Sequence, residues 1–296
     1  MRLSKRPWPL VCFLILGCAR ASLAADRVTI LYDAFGESGQ LTKDWGFSAL
    51  IEHHGKTILF DSGNNAEIFE KNTKALSVDL TKLDLVVISH RHTDHTSGLQ
   101  YLLKVNPQVP IYVPANGADG FGDGEIPMAF YRPETDLPAK MRYYSGAPPA
   151  QSRSGKRYEV GKFVLVGKQT EILPGVFLLF TVSRIPGTLE LPELTLAIKT
   201  RDGLLLVDGC SHAGIEEILK AASAVDPRVH IVFGGLHLVG SSPEDIDALV
   251  ARLKNTWHVA KMAPGHCTGE PAFLRLQKAY AENYVYAGLG SRITVE

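Results

Sequence analysis

Ser89-His90-Arg91-His92-Thr93-Asp94-His95-Thr96-Ser97-Gly98 follows directly on the apolar run Leu85-Val86-Val87-Ile88. The run reads as a buried strand that delivers a dense polar cluster at its C-terminal end. Side chains two apart on an extended backbone share a side, so His90 and His92 can reach one ion. Asp94 and His95 come where the chain turns toward a helix, and can face a second ion. Imidazole with carboxylate suits zinc, iron or manganese, and two such ions about 3.5–4 Å apart make a hydrolytic site.

Working outward, the same arrangement recurs. Thr57-Ile58-Leu59-Phe60 ends in Asp61-Ser62-Gly63, and Leu204-Leu205-Leu206-Val207 ends in Asp208-Gly209-Cys210-Ser211-His212. Val229 to Phe233 leads into Gly234-Gly235-Leu236-His237, and a fourth loop is Pro264-Gly265-His266-Cys267-Thr268-Gly269. Helices alternate with these strands. Ile215, Ile218, Leu219 and Ala222 mark one apolar face, and Ser242-Pro243-Glu244-Asp245 has the N-cap, proline and acids of a helix start. A third helix is expected from Pro271 to about Glu282. A short one over Leu99, Leu102 and Leu103 should end near Asn106, with its N-terminus beside the metals and suited to an anionic substrate group. His53 and His54 read as solvated residues of a hairpin turn, and His230 and His258 as structural. Alternating strands and helices with chemistry at strand ends predict two sheets packed face to face with helices outside.

His90-x-His92-x-Asp94-His95 resembles the signature of the metallo-β-lactamase fold superfamily. The resemblance spans about Val28 to His266 and implies an α/β fold of α+β type, the αββα sandwich. It implies His90 and His92 as ligands of a first metal, Asp94, His95 and His266 as those of a second, and Asp61 as a brace for the metal loop. The sequence departs from the family between these points. Ile185-Pro186-Gly187-Thr188 has no histidine where the family usually supplies one, and Cys210 stands at or near the place of the family's bridging aspartate. The first metal must then borrow from Cys210 or His212. Cys210 could be a thiolate ligand, a small buried residue, or half of a disulfide with Cys267. The motifs around Cys210, His237 and His266 resemble those of a branch, the dihydropterin ribofuranosylaminobenzene phosphate synthase-like proteins.

What this implies is a hydrolase with one or two divalent ions, zinc foremost with manganese or iron as alternatives. Metal-bound hydroxide would attack an ester, lactone, amide or phosphoester, with Asp94 binding metal and orienting the nucleophile. His237 is expected to bind substrate or handle a proton. A metal-dependent transferase of the synthase type and a non-catalytic metal-binding or sensory scaffold are the other readings. The partner is a small molecule, anionic on the helix-terminus argument above.

Residues 1–25 stand apart. Arg2, Lys5 and Arg6 precede the apolar run Leu10 to Leu16, and Ala21, Ser22, Ala24 and Ala25 follow, the layout of a secretory signal peptide. The reading is export, to the periplasm of a bacterium, with residues 26–296 as the metallo-β-lactamase-like domain. Ile15-Leu16-Gly17-Cys18 is a partial lipoprotein signal, weakened by bulky Leu16. The leader holds four of the 31 basic residues and no acid, which leaves the remainder at net −4. That charge gives no electrostatic footprint for nucleic acid, and no later run is long and apolar enough to span a membrane. From 114 to about 161 glycine and proline break every period, so the segment reads as a lid-like insertion.

Overall fold

The computed structural model describes residues 26–37, 39–115, 135–147 and 160–295. The segments read above as a leader (residues 1–25) and, for the most part, as a lid-like insertion (114–161) lie outside the described residues. Among the described residues no helix is long and apolar enough to cross a membrane.

The described residues open on three antiparallel strands, β1 (Asp26–Tyr32), β2 (Ser48–His53) and β3 (Lys56–Phe60). The helix α1 (Ala66–Ala75) follows, then β4 (Leu85–Val87), α2 (Thr93–Thr96), α3 (Leu99–Val105), β5 (Pro110–Pro114) and β6 (Lys162–Val166). Strands β3 to β6 pair in parallel, and β13 (Arg292–Val295) closes the other edge against β1, giving the order β13-β1-β2-β3-β4-β5-β6. The second sheet is built from β7 (Thr170–Leu173), β8 (Val176–Val182), β9 (Pro192–Thr200) and β10 (Gly203–Asp208), then β11 (Val229–Gly235) and β12 (Lys261–Gly265). Its order is β12-β11-β10-β9-β8-β7, with β10, β11 and β12 parallel. Between them run α4 (Ile215–Ser223), α5 (Pro243–Asn255) and α6 (Glu270–Tyr280).

Side-chain alternation sets the layers. Ile58, Phe60, Leu85 and Val87 of the first sheet meet Leu194, Leu196, Leu205 and Val207 of the second in one buried cluster. The opposite face of the second sheet packs on Ile218, Leu219, Ile246, Leu253 and Leu276 of α4, α5 and α6. The outer face of the first sheet packs on Phe69 of α1 and Leu99 and Leu102 of α3. This is helix, sheet, sheet, helix, as the sequence predicts. Parallel strands need crossovers and so leave all their C-terminal ends on one edge. The loops after β3, β4, β10, β11 and β12 therefore converge.

Two local expectations are corrected. The hairpin turn is His54-Gly55, and His54 is exposed, but His53 ends β2 and is buried with its Nδ1 2.7 Å from Asp26 Oδ1. The pairing of Arg27 with Glu52 places Asp26 beside His53, so a partner on the neighbouring strand removes it from water. The start of α3 does not face the site either. The Ser62 carbonyl lies where a side chain on Gly98 would stand, and neither Gly98 nor Leu99 lines the cleft described below. His258 is exposed after α5 and His230 half-buried on β11.

Candidate metal centre

Each loop is braced by a buried carboxylate before any ion is considered. Asp61, at the end of β3, accepts the Ser89 backbone N–H at 2.7 Å and the Ser89 hydroxyl at 2.7 Å. Its Oδ2 also lies 2.7 Å from His95 Nδ1. A carboxylate accepts from Nδ1–H, so Nε2 is the His95 ring nitrogen that faces the other donors. Ser89 Oγ, having donated to Asp61, accepts from His90 Nδ1 at 2.9 Å, which leaves His90 Nε2 bare. Burial pulls the His95 imidazolium down, but Asp94 and Asp61 together hold its pKa well above the usual range. Burial raises the Asp94 carboxyl, but His95 and His266 outweigh it and keep the carboxyl well below its usual range.

Six side chains fall into two groups. His90 Nε2 lies 3.1 Å from His92 Nδ1 and 3.2 Å from His212 Nε2. His266 Nε2 lies 3.2 Å from both Asp94 Oδ2 and His95 Nε2. Cys210 stands between them, its sulfur 3.3 Å from His95 Nε2 and grouped with both His90 and His95. The third imidazole of the first group is thus His212 from the loop after β10, the place left open by Ile185–Thr188. Asp208 is turned away, accepting from Thr195 Oγ1 at 2.6 Å and Ser211 Oγ at 2.5 Å. His237 is exposed on the wall of the cleft, its ring 4.5 Å from that of His212.

The donor set fits divalent cations. Each group turns its donor atoms toward one point, and a cation there would take the place of the protons these atoms now share. The separations of 3.1–3.2 Å approach the edge of a tetrahedron with metal–nitrogen bonds of about 2.0–2.1 Å. Asp94 Oδ1 is buried without a hydrogen-bond partner, and an orphaned carboxylate oxygen is costly in a finished core.

Two carboxylates carry no sequence signal and were not expected. Glu193, fully buried on β9, accepts the backbone N–H of Cys210 at 2.9 Å, Ser211 at 3.2 Å and His212 at 2.6 Å. Asp33 accepts the His266 backbone N–H at 2.9 Å and that of Ala34 at 2.7 Å. Each is a lone acid next to an apolar strand pattern, and only its burial makes it notable. Tyr143, from the described part of the insertion, donates to the His266 carbonyl and packs on Trp45 and Phe273.

The two groups open on a cleft of about 1010 Å³. Its walls include Ile185 and Pro186 on one side, His237 and Leu238 beyond, and the start of α4 at Gly214 to Glu217.

The chain matches the family model of the metallo-beta-lactamase superfamily over residues 43–190. It belongs to the metallo-β-lactamase superfamily. That superfamily is one of enzymes and usually binds divalent metals. In Methanocaldococcus jannaschii, 7,8-dihydropterin-6-methyl-4-(beta-D-ribofuranosyl)-aminobenzene-5'-phosphate synthase is 28% identical over 284 residues, covering 86% of this chain and 92% of its own. Among solved structures, a metal-dependent hydrolase of the beta-lactamase superfamily is similar with a TM-score of 0.69 and 25% identity, over 91% of this chain and 99% of that one. The short form of human tRNase Z shares the fold alone, at 13% identity and a TM-score of 0.53 over 91% of this chain and 99% of its own.

Proposed function

We propose that this superfamily member is a metal-dependent hydrolase of small-molecule esters, lactones, amides or phosphoesters. The observation that carries the reading is the pair of donor groups at the floor of an open cleft. His90, His92 and His212 would hold one cation, Asp94, His95 and His266 the other, and Cys210 would lie between. Imidazole, carboxylate and thiol together suit zinc best. When bound, the ions supply Lewis acidity and lower the pKa of water toward neutrality.

The chain's own groups do the rest. Asp94 Oδ1, buried and unengaged, accepts a hydrogen bond from the attacking water and orients it. His237 offers a ring nitrogen to the substrate from the cleft wall. Asp61, through His95 and Ser89, fixes which imidazole nitrogens face inward.

Likeness to the archaeal synthase over nearly its whole length favours a second reading, group transfer at the same centre. Metal analysis joined to a substrate panel in isotopically labelled water separates the readings. A hydrolase gives turnover lost on chelation, restored by zinc, with label in the product. Turnover without label means transfer, and bound metal without turnover on any substrate class means a binding scaffold. From the order of basic, apolar and small residues in 1–25 we also propose export, which N-terminal sequencing of the mature protein checks.

A further inference from the structure

A second thiol stands directly behind Cys210. The sulfurs of Cys210 and Cys267 are 3.3 Å apart, and both cysteines are free and buried. Their main chains are held. Glu193 accepts the Cys210 N–H, and the Cys267 carbonyl accepts from Leu238 at 3.1 Å and Val239 at 3.2 Å. Room for the second sulfur comes from Gly235, where an added Cβ would stand 2.6 Å from Cys267 Sγ and 2.4 Å from the Gly209 carbonyl. Both cysteines line the cleft, so a small oxidant that enters it reaches them. In the reading above Cys267 holds no ion, and its contact with Cys210 is otherwise unused.

We propose that Cys210 and Cys267 are a site of reversible oxidation, closing to a disulfide that takes the Cys210 sulfur out of the metal centre. With hydrogen peroxide as oxidant, one sulfur attacks a peroxide oxygen, giving a sulfenic acid and one water. The other sulfur displaces the hydroxyl as a second water and forms the S–S bond. Two thiols lose two protons and two electrons, and peroxide is reduced to two waters. An added dithiol reverses the bond by exchange. A disulfide sulfur carries no thiolate charge, so Cys210 ceases to be a ligand. The bond stands on geometry alone, whereas its effect on metal rests on the proposed metal centre.

The test treats purified, zinc-loaded protein with hydrogen peroxide, removes the reagent, and measures intact mass without reductant, free thiols and zinc per chain. The expected result is loss of the mass of two hydrogens and of the Cys210 and Cys267 thiols, with one peptide joining the two residues. Zinc should fall to about half, as the His90 group has no carboxylate to make up for the lost Cys210 sulfur, and return with dithiothreitol and added zinc. Cys267→Ser, or Cys267→Ala if serine perturbs folding, should form no bond and keep its zinc through the treatment. Survival of the Cys210 and Cys267 thiols, oxygen added to either one without a cross-link, or a cross-link with zinc unchanged would each overturn the proposal. A reduced wild-type chain that binds no zinc would instead sink the metal reading, while mass and thiol counts would still decide the bond.

Discussion

His90, His92 and His212 meet as three neutral imidazoles, with His92 half-buried at the cleft, whereas Asp94, His95 and His266 include a carboxylate and are buried throughout. A dication in the second group gains a full charge interaction inside a poorly screened interior, while the first offers dipoles and at most the shared Cys210. The bracing differs too. His266 hangs on Asp33, and His212 and Cys210 on Glu193. Asp61 serves both groups, directly at His95 and through Ser89 at His90. Two sites of like composition need not be alike in affinity, because the carboxylate and the braces sit unevenly.

The inequality can be broken most sharply by deleting one donor from each group. His266→Ala should abolish the tight ion and bring activity down by at least about 10²-fold, while His212→Ala should cost chiefly the weak ion and leave the tight one. Metal titration of both variants checks this, and a His212→Ala protein lacking the tight ion would reverse the assignment. Chelation comes next. If metal at roughly a thousand times its dissociation constant contributes about 4 kcal/mol, stripping it should lower the melting temperature by about 10 °C. Calorimetry with and without chelator measures that shift, and restoring substoichiometric zinc should recover most of it.

The braces give a finer test. Asp33→Asn should weaken only the tight ion and Glu193→Gln only the weak one, each by about 10–100-fold, while Asp61→Asn should weaken both. Competition with a chromophoric chelator reads these affinities separately, and equal losses in all three variants would mean one undivided centre. The smallest effect belongs to Tyr143→Phe. It removes the hydroxyl that donates to the His266 carbonyl and accepts the Gly269 N–H, and should cost about 1–3 kcal/mol of unfolding stability in denaturant.

The layers and the strand-end chemistry were legible because apolar runs end abruptly in His, Asp and Cys, a pattern that survives without coordinates. What escaped lacked contrast. Helix α1 buries Asn72 and Thr73 beside Phe69, so its inner face is half polar and shows no apolar stripe. Asn72 is satisfied there by the carbonyls of Leu31 and Thr42. Strands β6 and β7 are largely uncovered, with Leu165 exposed, and give no alternation. Glu193 and Asp33 act on backbone N–H groups of residues far along the chain, a relation that spacing cannot encode. His212 could be picked out by its neighbours, but its meeting with His90 depends on two sheets docking.

The order in which donors leave the ribosome gives that docking a further meaning. His95 and His266 are 171 positions apart, on loops from opposite sheets. A chain grows from its N-terminus, so His90, His92 and His212 are all present while β12 is still unmade. The tighter group has to wait, because His266 follows β12 and reaches Asp94 only when that strand adds to the edge of β11. On the proposed assignment the nascent protein holds its weaker donors complete before its stronger ones, and an ion captured early would be held loosely. Docking of the last strand of the second sheet would turn that provisional grip into a permanent one, so firm metal retention would mark a chain that has been finished rather than merely begun.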